Sequence, residues 1–215
     1  MSSDVINLPV DTTEYSLSSR PPSPSDRRDG DRHLTLFRVG AMTVGGQREL
    51  CLIKNISEGG MMIRPFCTLV EGTKLTIELK TGCMVKCTVN WIRESSAGVA
   101  FETPVDILEI LAGSEHGPRP RMPRIEVDCH ATVRDGSTVH RMRVHDISQG
   151  GIKVETAIMI GEGTDLVISL PGLEPQPASV RWNEGGQLGA TFNRLLPLPD
   201  LVAWLHAMRE QLRAA

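Results

Sequence analysis

The stretch that decides the fold is KNISEGGMMI, Lys54–Ile63, because a similar stretch, HDISQGGIKV, returns at His145–Val154 with the same isoleucine, serine and pair of glycines. The same shift along the chain pairs EGTKLTIEL at Glu71–Leu79 with EGTDLVISL at Glu162–Leu170. From Asn55 to Phe101, 14 of 47 positions are identical without a gap, against roughly 3 expected by chance from average composition. A period this long exceeds that of solenoid repeats, so it indicates two copies of a whole domain.

Each copy contains six short runs in which apolar or β-branched residues alternate with polar ones, separated by glycine and charged corners. This pattern is typical of strands. Six strands in some eighty residues predict a small antiparallel barrel, which leaves no exposed sheet edge. Each copy then ends in a helix signal, PVDILEIL in the first and PDLVAWLHAMREQL in the second. The predicted fold is therefore dominated by β-structure, as two tandem six-stranded barrels that each carry a C-terminal helix.

Composition also predicts the domain boundaries. Residues 1–25 contain the Ser- and Pro-rich stretch SLSSRPPSPSD and no apolar periodicity, which predicts a disordered tail. The first domain is expected at 26–113, a linker at 114–119 and the second domain at 120–215. The helical stripe of Leu201, Leu205, Met208 and Leu212 is expected to pack on its own barrel, with a homodimer seam as the alternative.

Charge and composition exclude several classes of protein. A formal net charge of −3 and 4% aromatic residues argue against binding long DNA or RNA. No run of 18 apolar residues and no secretory signal is present, so we expect no membrane span. Five scattered cysteines favour the reducing cytoplasm over a disulfide framework. Cys83 and Cys87 share one face of a strand but lack nearby metal ligands, so no metal site or cofactor is predicted.

The repeated corner has chemistry of its own. In NISEGG, Asn55 and Ser57 can hydrogen-bond to the backbone two residues on, while Gly59 and Gly60 allow a positive φ and a close approach by another group. The alternative is a decorated β-turn without function. Upstream, RRDGDR places Arg28 and Arg32 four residues apart. Two guanidinium groups can make forked hydrogen bonds to phosphates or to a guanine edge, although a solvated basic patch is the simpler interpretation of this pair alone.

Together, the two motifs resemble the PilZ family of cyclic di-GMP receptor domains, whose signature is RxxxR followed by D/NxSxxG. The resemblance extends to a later Trp–Gly–Phe run, Trp91, Gly98 and Phe101, and covers the chain after residue 26 as two copies. It implies that Arg28 and Arg32 bind guanine edges and phosphates. It also implies that Asn55 and Ser57 hydrogen-bond the nucleotide, that Gly60 leaves room for a base, and that Gly98 lies in the wall of the same ligand site.

The second copy departs from this pattern upstream of its corner. Asp146, Ser148 and Gly151 reproduce the corner, but no two of Arg119, Arg121 and Arg124 are four residues apart. We therefore expect weak or absent binding in this copy, with Arg121 and Arg124 able to contribute to a weaker second site.

The function predicted from this resemblance is a non-enzymatic cytoplasmic receptor. On binding cyclic di-GMP, its arginine loop would become ordered and the protein would signal to an unidentified protein that controls motility, adhesion or exopolysaccharide. The alternative is a nucleotide-independent protein–protein adaptor. An enzyme is the least favoured class, because no nucleophile–base pair can be named. Trp91 and Trp182 recur at equivalent positions and are expected to pack in the core.

Overall fold

In the computed structural model, the described residues are 15–17, 34–80, 83–106 and 122–214. The chain divides into two compact units between Pro120 and Arg121, which are called domain 1 and domain 2. No helix within the described residues is long and apolar enough to cross a membrane.

Domain 1 is a barrel of six antiparallel strands. They are β2 Leu34–Val44, β3 Gln47–Ser57, β4 Gly60–Pro65, β5 Lys74–Lys80, β6 Cys83–Arg93 and β7 Ser96–Phe101. They run in the order β2-β3-β4-β7-β6-β5, and β2 also pairs with β5, which closes the barrel. The β2–β3 hairpin turns at Gly45 and Gly46, which both have positive φ, as a tight two-residue hairpin turn requires.

The inward-facing residues of domain 1 form one apolar core. Its most deeply buried members include Met42, Ile53, Ile56, Ile63 and Ile77. Every second residue of a strand faces inward, so the neighbours of these residues face outward. The corner residues Asn55 and Ser57 flank the buried Ile56 and therefore lie on the outer face.

Domain 2 repeats the barrel. Its strands are β8 Ile125–Asp135, β9 Thr138–Ser148, β10 Gly151–Glu155, β11 Asp165–Ser169, β12 Gln176–Glu184 and β13 Gln187–Phe192. They close in the order β10-β13-β12-β11-β8-β9. The prediction of two six-stranded antiparallel barrels is thus confirmed.

Domain 2 ends in the predicted helix, α1, at Leu198–Ala214. Before it, the Leu196 amide donates to the Gln149 carbonyl at 2.8 Å and so ties the helix start to the repeated corner. Within the helix, the Trp204 indole donates to the Pro171 carbonyl at 2.7 Å. The helix buries Leu201 and Leu205 of the predicted stripe, whereas Leu212 is 56% exposed. The buried face of the helix therefore covers only part of the predicted stripe. Val202 and Trp204, which lie outside the stripe, complete this buried face.

Two predictions concern segments at the borders of domain 1. Within the predicted tail, Tyr15–Leu17 forms a short strand, β1, that pairs with the start of β2. It uses the edge of β2 that β5 leaves open, because β5 pairs only with Ala41–Val44. From residue 107 onward, the helix predicted for domain 1 lies outside the described residues.

Candidate functional site

The corner of domain 1 connects β3 to β4 and holds its polar side chains in place. The backbone amide of Met62 donates to Asn55 Oδ1 at 3.1 Å, and Ser57 Oγ donates to the Gly60 carbonyl at 3.0 Å. Asn55 therefore binds across the strand pair, not two residues along as predicted, because a β-bulge between Ile53 and Asn55 aligns it with Met62. Among the described residues, the Asn55 side-chain nitrogen has no hydrogen-bond partner, so it can donate to a ligand.

The glycines of the corner have a structural reason of their own. A Cβ on Gly60 would lie 2.4 Å from the Val99 carbonyl oxygen, and on Gly151 it would lie 2.4 Å from the Ala190 carbonyl oxygen. Neither Gly59 nor Gly60 has the positive φ that the sequence analysis allowed. Gly60 therefore permits the close approach of β4 to β7, and this need is present whether or not a base binds.

Gly98 makes room for a side chain of its own domain. A Cβ at Gly98 would lie 2.0 Å from Nε1 of Trp91, so the indole rests against the β7 backbone. Gly189 and Trp182 repeat the arrangement in domain 2, with 2.3 Å from the added Cβ to the indole nitrogen. These tryptophans lie on the outer face: Trp91 is half-buried and Trp182 is 36% exposed. The prediction that they pack in the core is wrong, because a β-bulge before each one shifts it to the outward register.

The strand register places the tryptophan and the corner in one row. Met62 pairs with Asn55 on one side and with Gly98 on the other, and Gly98 pairs with Trp91. Directly paired residues of neighbouring strands face the same way. The outer row of domain 1 is therefore defined as Asn55, Met62, Gly98 and Trp91. Sequence reasoning missed Trp91 here, and its position two residues from the charged Arg93 in a strand was the available signal.

The corner of domain 2 uses its acidic residue internally. Arg124 Nη1 lies 2.5 Å from Asp146 Oδ1, and Lys153 Nζ lies 3.4 Å from Asp146 Oδ2. The Asp146 side chain is only 14% exposed. Ser148 Oγ donates to the Gly151 carbonyl at 3.3 Å, as in domain 1. Both oxygens of the Asp146 carboxylate thus already have cationic partners, and one of these, Lys153, was not among the predicted site residues.

Beside this corner lies a cleft of about 470 Å³ between the outer face of β8 and β9 and the helix α1. Its polar wall contains Arg143, which pairs with Asp128 at 3.1 Å, and His145. The His145 ring also lies 3.0 Å from Glu155. Met208 and Leu212 form the apolar wall. Most of the charges around this cleft are therefore neutralised within the domain.

Several predicted site residues lie outside the described residues, namely Arg28, Arg32, Arg119 and Arg121. Of the proposed arginines, only Arg124 is described, and it contacts Asp146. The structure brings together the Asn–Ser corner and the Trp–Gly pair in domain 1. The arrangement of the RxxxR loop around them stays a prediction.

The cysteines are thiols, and two of them lie deep in domain 1. Burial raises the pKa of Cys51 and of Cys87 to about 12, and it also raises the pKa of Cys129. Burial disfavours the charged thiolate, which is the reactive and metal-binding form. Within the described residues, no group of three or more His, Cys, Asp or Glu side chains could hold a metal ion.

Comparison with known proteins bears on both domains. A family model described as "PilZ domain" matches residues 26–112 and again residues 118–205. No curated relative matches the chain.

Among solved structures, the chain is similar to PlzA of Borreliella burgdorferi in complex with c-di-GMP, with 12% identity, coverage of 78% of this chain and 86% of that chain, and a TM-score of 0.34. It is similar to the inhibitor of motility MotI/DgrA of Bacillus subtilis, with 15% identity, coverage of 82% and 97%, and a TM-score of 0.33. YcgR of Escherichia coli in complex with c-di-GMP gives 13% identity, coverage of 82% and 85%, and a TM-score of 0.34.

TM-scores of this size carry no argument about function, so the assignment depends on the family model. Its two matches cover most of the chain and coincide with the two barrels. The chain therefore belongs to the PilZ domain family, with two such domains in tandem.

Proposed function

We propose that this protein is a cyclic di-GMP receptor and that domain 1 holds the ligand. Arg28 and Arg32 would bind guanine edges and phosphates, while Asn55 and Ser57 would bind the nucleotide from the barrel surface. Membership of the PilZ family and the intact pair of motifs in domain 1 support the proposal. The ligand would order the arginine loop, and the liganded protein would act on a downstream protein that controls motility, adhesion or exopolysaccharide.

The observation that carries the proposal is the state of the corner in domain 1. Asn55 is fixed through its oxygen, so its amide nitrogen points a donor outward without competition from a described residue. Ser57 is fixed through its hydroxyl hydrogen, so its oxygen lone pairs remain to accept. A corner that is held rigid and yet keeps unused donors and acceptors is preorganised for a polar ligand.

The corner of domain 2 supports a difference in ligand affinity between the two barrels. Its Asp146 is engaged by Arg124 and Lys153. A ligand would have to displace these ion pairs before it could use the carboxylate. We therefore propose that any second site at Arg121, Arg124, Asp146, Ser148 and Gly151 binds more weakly than the first.

The proposed role is binding and signalling, not catalysis, and we place it in the cytoplasm. All five cysteines are thiols, as is usual in a reducing compartment. The domain limits of 26–113 and 120–215 with a linker at 114–119 stay predictions, as does a homodimer.

Isothermal titration with cyclic di-GMP tests the proposal. The wild-type chain should bind, Arg28→Ala and Arg32→Ala should each weaken binding at least ten-fold, and Asn55→Ala should weaken it several-fold, since charge-assisted hydrogen bonds exceed neutral ones. Asp146→Ala is the matched variant in domain 2 and should leave the tightest binding event unchanged. Absence of binding by wild type, or undiminished binding by Arg28→Ala, would overturn the proposal.

The second candidate function is a nucleotide-independent adaptor, and the ion-paired corner of domain 2 is the observation in its favour. A barrel whose ligand corner is internally neutralised can keep its fold for contact with a protein. A partner captured equally well with and without cyclic di-GMP, by wild type and by Arg28→Ala, would favour the adaptor over the receptor.

A further inference from the structure

Around the corner of domain 1, cationic side chains converge on the outer row. Lys54 Nζ donates to Ser96 Oγ at 2.7 Å, and Ser96 is the strand partner of Arg93. Within the described residues, neither Lys54 nor Arg93 pairs with a carboxylate. Arg64, which is exposed on the same side of β4 as Met62, lacks a carboxylate partner there as well. Three cationic side chains on the outer face of domain 1 are thus not neutralised by an ion pair with a described carboxylate.

Arg93 is held next to the aromatic member of the outer row. Trp91 and Arg93 are two residues apart in β6, so both project from the outer face. The Arg93 guanidinium lies over the Trp91 ring, 5.7 Å from its centroid, and the other side of the indole rests on Gly98. The indole thus rests on the sheet with one face, and among the described residues the exposed Arg93 side chain lies over the other face.

We infer that Trp91 and Arg93 form a further part of the ligand site of domain 1, where a guanine base stacks on the indole and the guanidinium binds the adjacent phosphate. This inference rests on the proposed cyclic di-GMP function, gives a ligand role to Trp91 of the Trp–Gly–Phe run, and adds Arg93, which lies outside the family motifs. Because the indole rests against Gly98, which is two strands away from Asn55, it lies about two strand spacings, roughly 10 Å, from Asn55 across the sheet. A ligand with two guanines and two phosphates can therefore use the corner with one end and the indole with the other.

The exchange of partners on the indole favours binding. When a base stacks on the outer face of Trp91, Arg93 loses its cation–π contact with the indole. This contact is exposed to solvent, and exposed cation–π contacts are weaker than desolvated ones. Stacking of a base on an aromatic side chain is stronger. The released guanidinium gains charge-assisted, forked hydrogen bonds to phosphate oxygens. Each group therefore exchanges a weaker contact for a stronger one.

Domain 2 contains the matched control in the same chain. Trp182 rests on Gly189 as Trp91 rests on Gly98, but the residue two positions on is Glu184 instead of an arginine. Its row also contains Lys153, bound to Asp146, where domain 1 has the neutral Met62 and Asn55. A carboxylate beside the indole would repel a phosphate, so the same platform in domain 2 is unsuited to this ligand.

The test compares four single variants of the full-length chain by titration with cyclic di-GMP. Arg93→Gln and Trp91→Leu should each weaken binding about ten-fold, the size expected for one charge-assisted contact or one stacked base. Glu184→Gln and Trp182→Leu should leave the affinity unchanged. Arg93 is exposed, so its replacement does not endanger the fold, and the Arg93→Gln result stands even if Trp91→Leu destabilises the barrel.

Tryptophan fluorescence provides a second measurement. Cyclic di-GMP should quench the emission of wild type and of Trp182→Phe, and the quench should disappear in Trp91→Phe. If wild type binds but Arg93→Gln binds equally well and the quench persists in Trp91→Phe, the inference is wrong while the receptor function stands. If wild type shows no binding, the proposed function fails first and this inference fails with it.

Discussion

The two domains share a strand order and an apolar interior, and they differ on the outer face around the corner. The strand order, the glycine beneath each tryptophan and the glycine that meets the β7 or β13 carbonyl are shared. At equivalent positions of the outer face, the side chains of domains 1 and 2 differ in charge. These pairs are Lys54 and His145, Asn55 and Asp146, Met62 and Lys153, Arg64 and Glu155, and Arg93 and Glu184.

The difference shows how a duplicated barrel can lose a site without losing its fold. In domain 1, Lys54, Arg64 and Arg93 lack carboxylate partners among the described residues. In domain 2, Asp146 has two cationic partners, and Glu155 lies 3.0 Å from His145 and 3.9 Å from Arg143. Surface charges contribute little to the stability of the barrel. The outer face could therefore diverge while the interior, on which folding depends, stayed apolar.

The largest predicted difference between the domains appears at alkaline pH. Burial holds the pKa of Cys51 and Cys87 at about 12 in folded domain 1, whereas the pKa of an unfolded thiol is about 8.5. The raised pKa stabilises the folded state below about pH 8.5, and this contribution is lost as the pH rises towards 12. Each thiol removes about 1.4 kcal/mol of stability per pH unit in that window. Domain 1 should thus unfold at lower pH than domain 2, which has one such thiol, Cys129.

Tryptophan variants separate the two transitions. Trp91→Phe leaves only emission from domain 2, and the double variant Trp182→Phe, Trp204→Phe leaves only emission from domain 1. Cys51→Ala should flatten the pH dependence of domain 1 even if it lowers stability at neutral pH. Coincident alkaline transitions in the two reporter proteins would show that the buried thiols do not set the difference.

The next effect concerns a feature that the domains share. Gly60→Ala and Gly151→Ala each place a Cβ against a backbone carbonyl, which cannot move aside as a side chain can. We expect each to destabilise its own domain by about 1–3 kcal/mol, the range for overpacking. Hydrogen exchange measured by mass spectrometry should show faster exchange in β4 or in β10, respectively. An unaltered β4 together with lost ligand affinity in Gly60→Ala would instead assign this glycine to the ligand.

The sequence predicted the strands and the corners well because alternation and turn residues are local signals. In β8, for example, Cys129, Ala131 and Val133 are buried, whereas the residues between them are exposed. The repeat strengthened the prediction of the strands, because the same alternation of apolar and polar residues had to fit both copies. The same reasoning found Asn55, Ser57 and Gly60 at one corner.

What the sequence could not predict depends on bulges and on side-chain pairing. One extra residue before Trp91 turns it outward, and simple alternation cannot place such a bulge. The contact between Lys153 and Asp146 joins neighbouring strands, so it required the register. The contact between Gly60 and the Val99 carbonyl was not predictable either, because the backbone of β7 lies far away in the sequence, and the predicted role of Gly60 in leaving room for a base stays a prediction.

The smallest expected effect is also the sharpest test of the comparison at the corner itself. Asp146→Ala removes the partner of Arg124 and Lys153 and leaves two cations side by side, so we expect a loss of about 1–2 kcal/mol, moderated because Arg124 is 42% exposed. Asn55→Ala removes one hydrogen bond to the Met62 amide and should cost about 1 kcal/mol or less in stability. In affinity for cyclic di-GMP the order should reverse, since only Asn55 keeps an unused donor. Chemical denaturation and titration of the same two variants measure both quantities. If Asp146→Ala proved the more damaging in both, domain 2 would be the ligand-binding barrel and the comparison would have to be inverted.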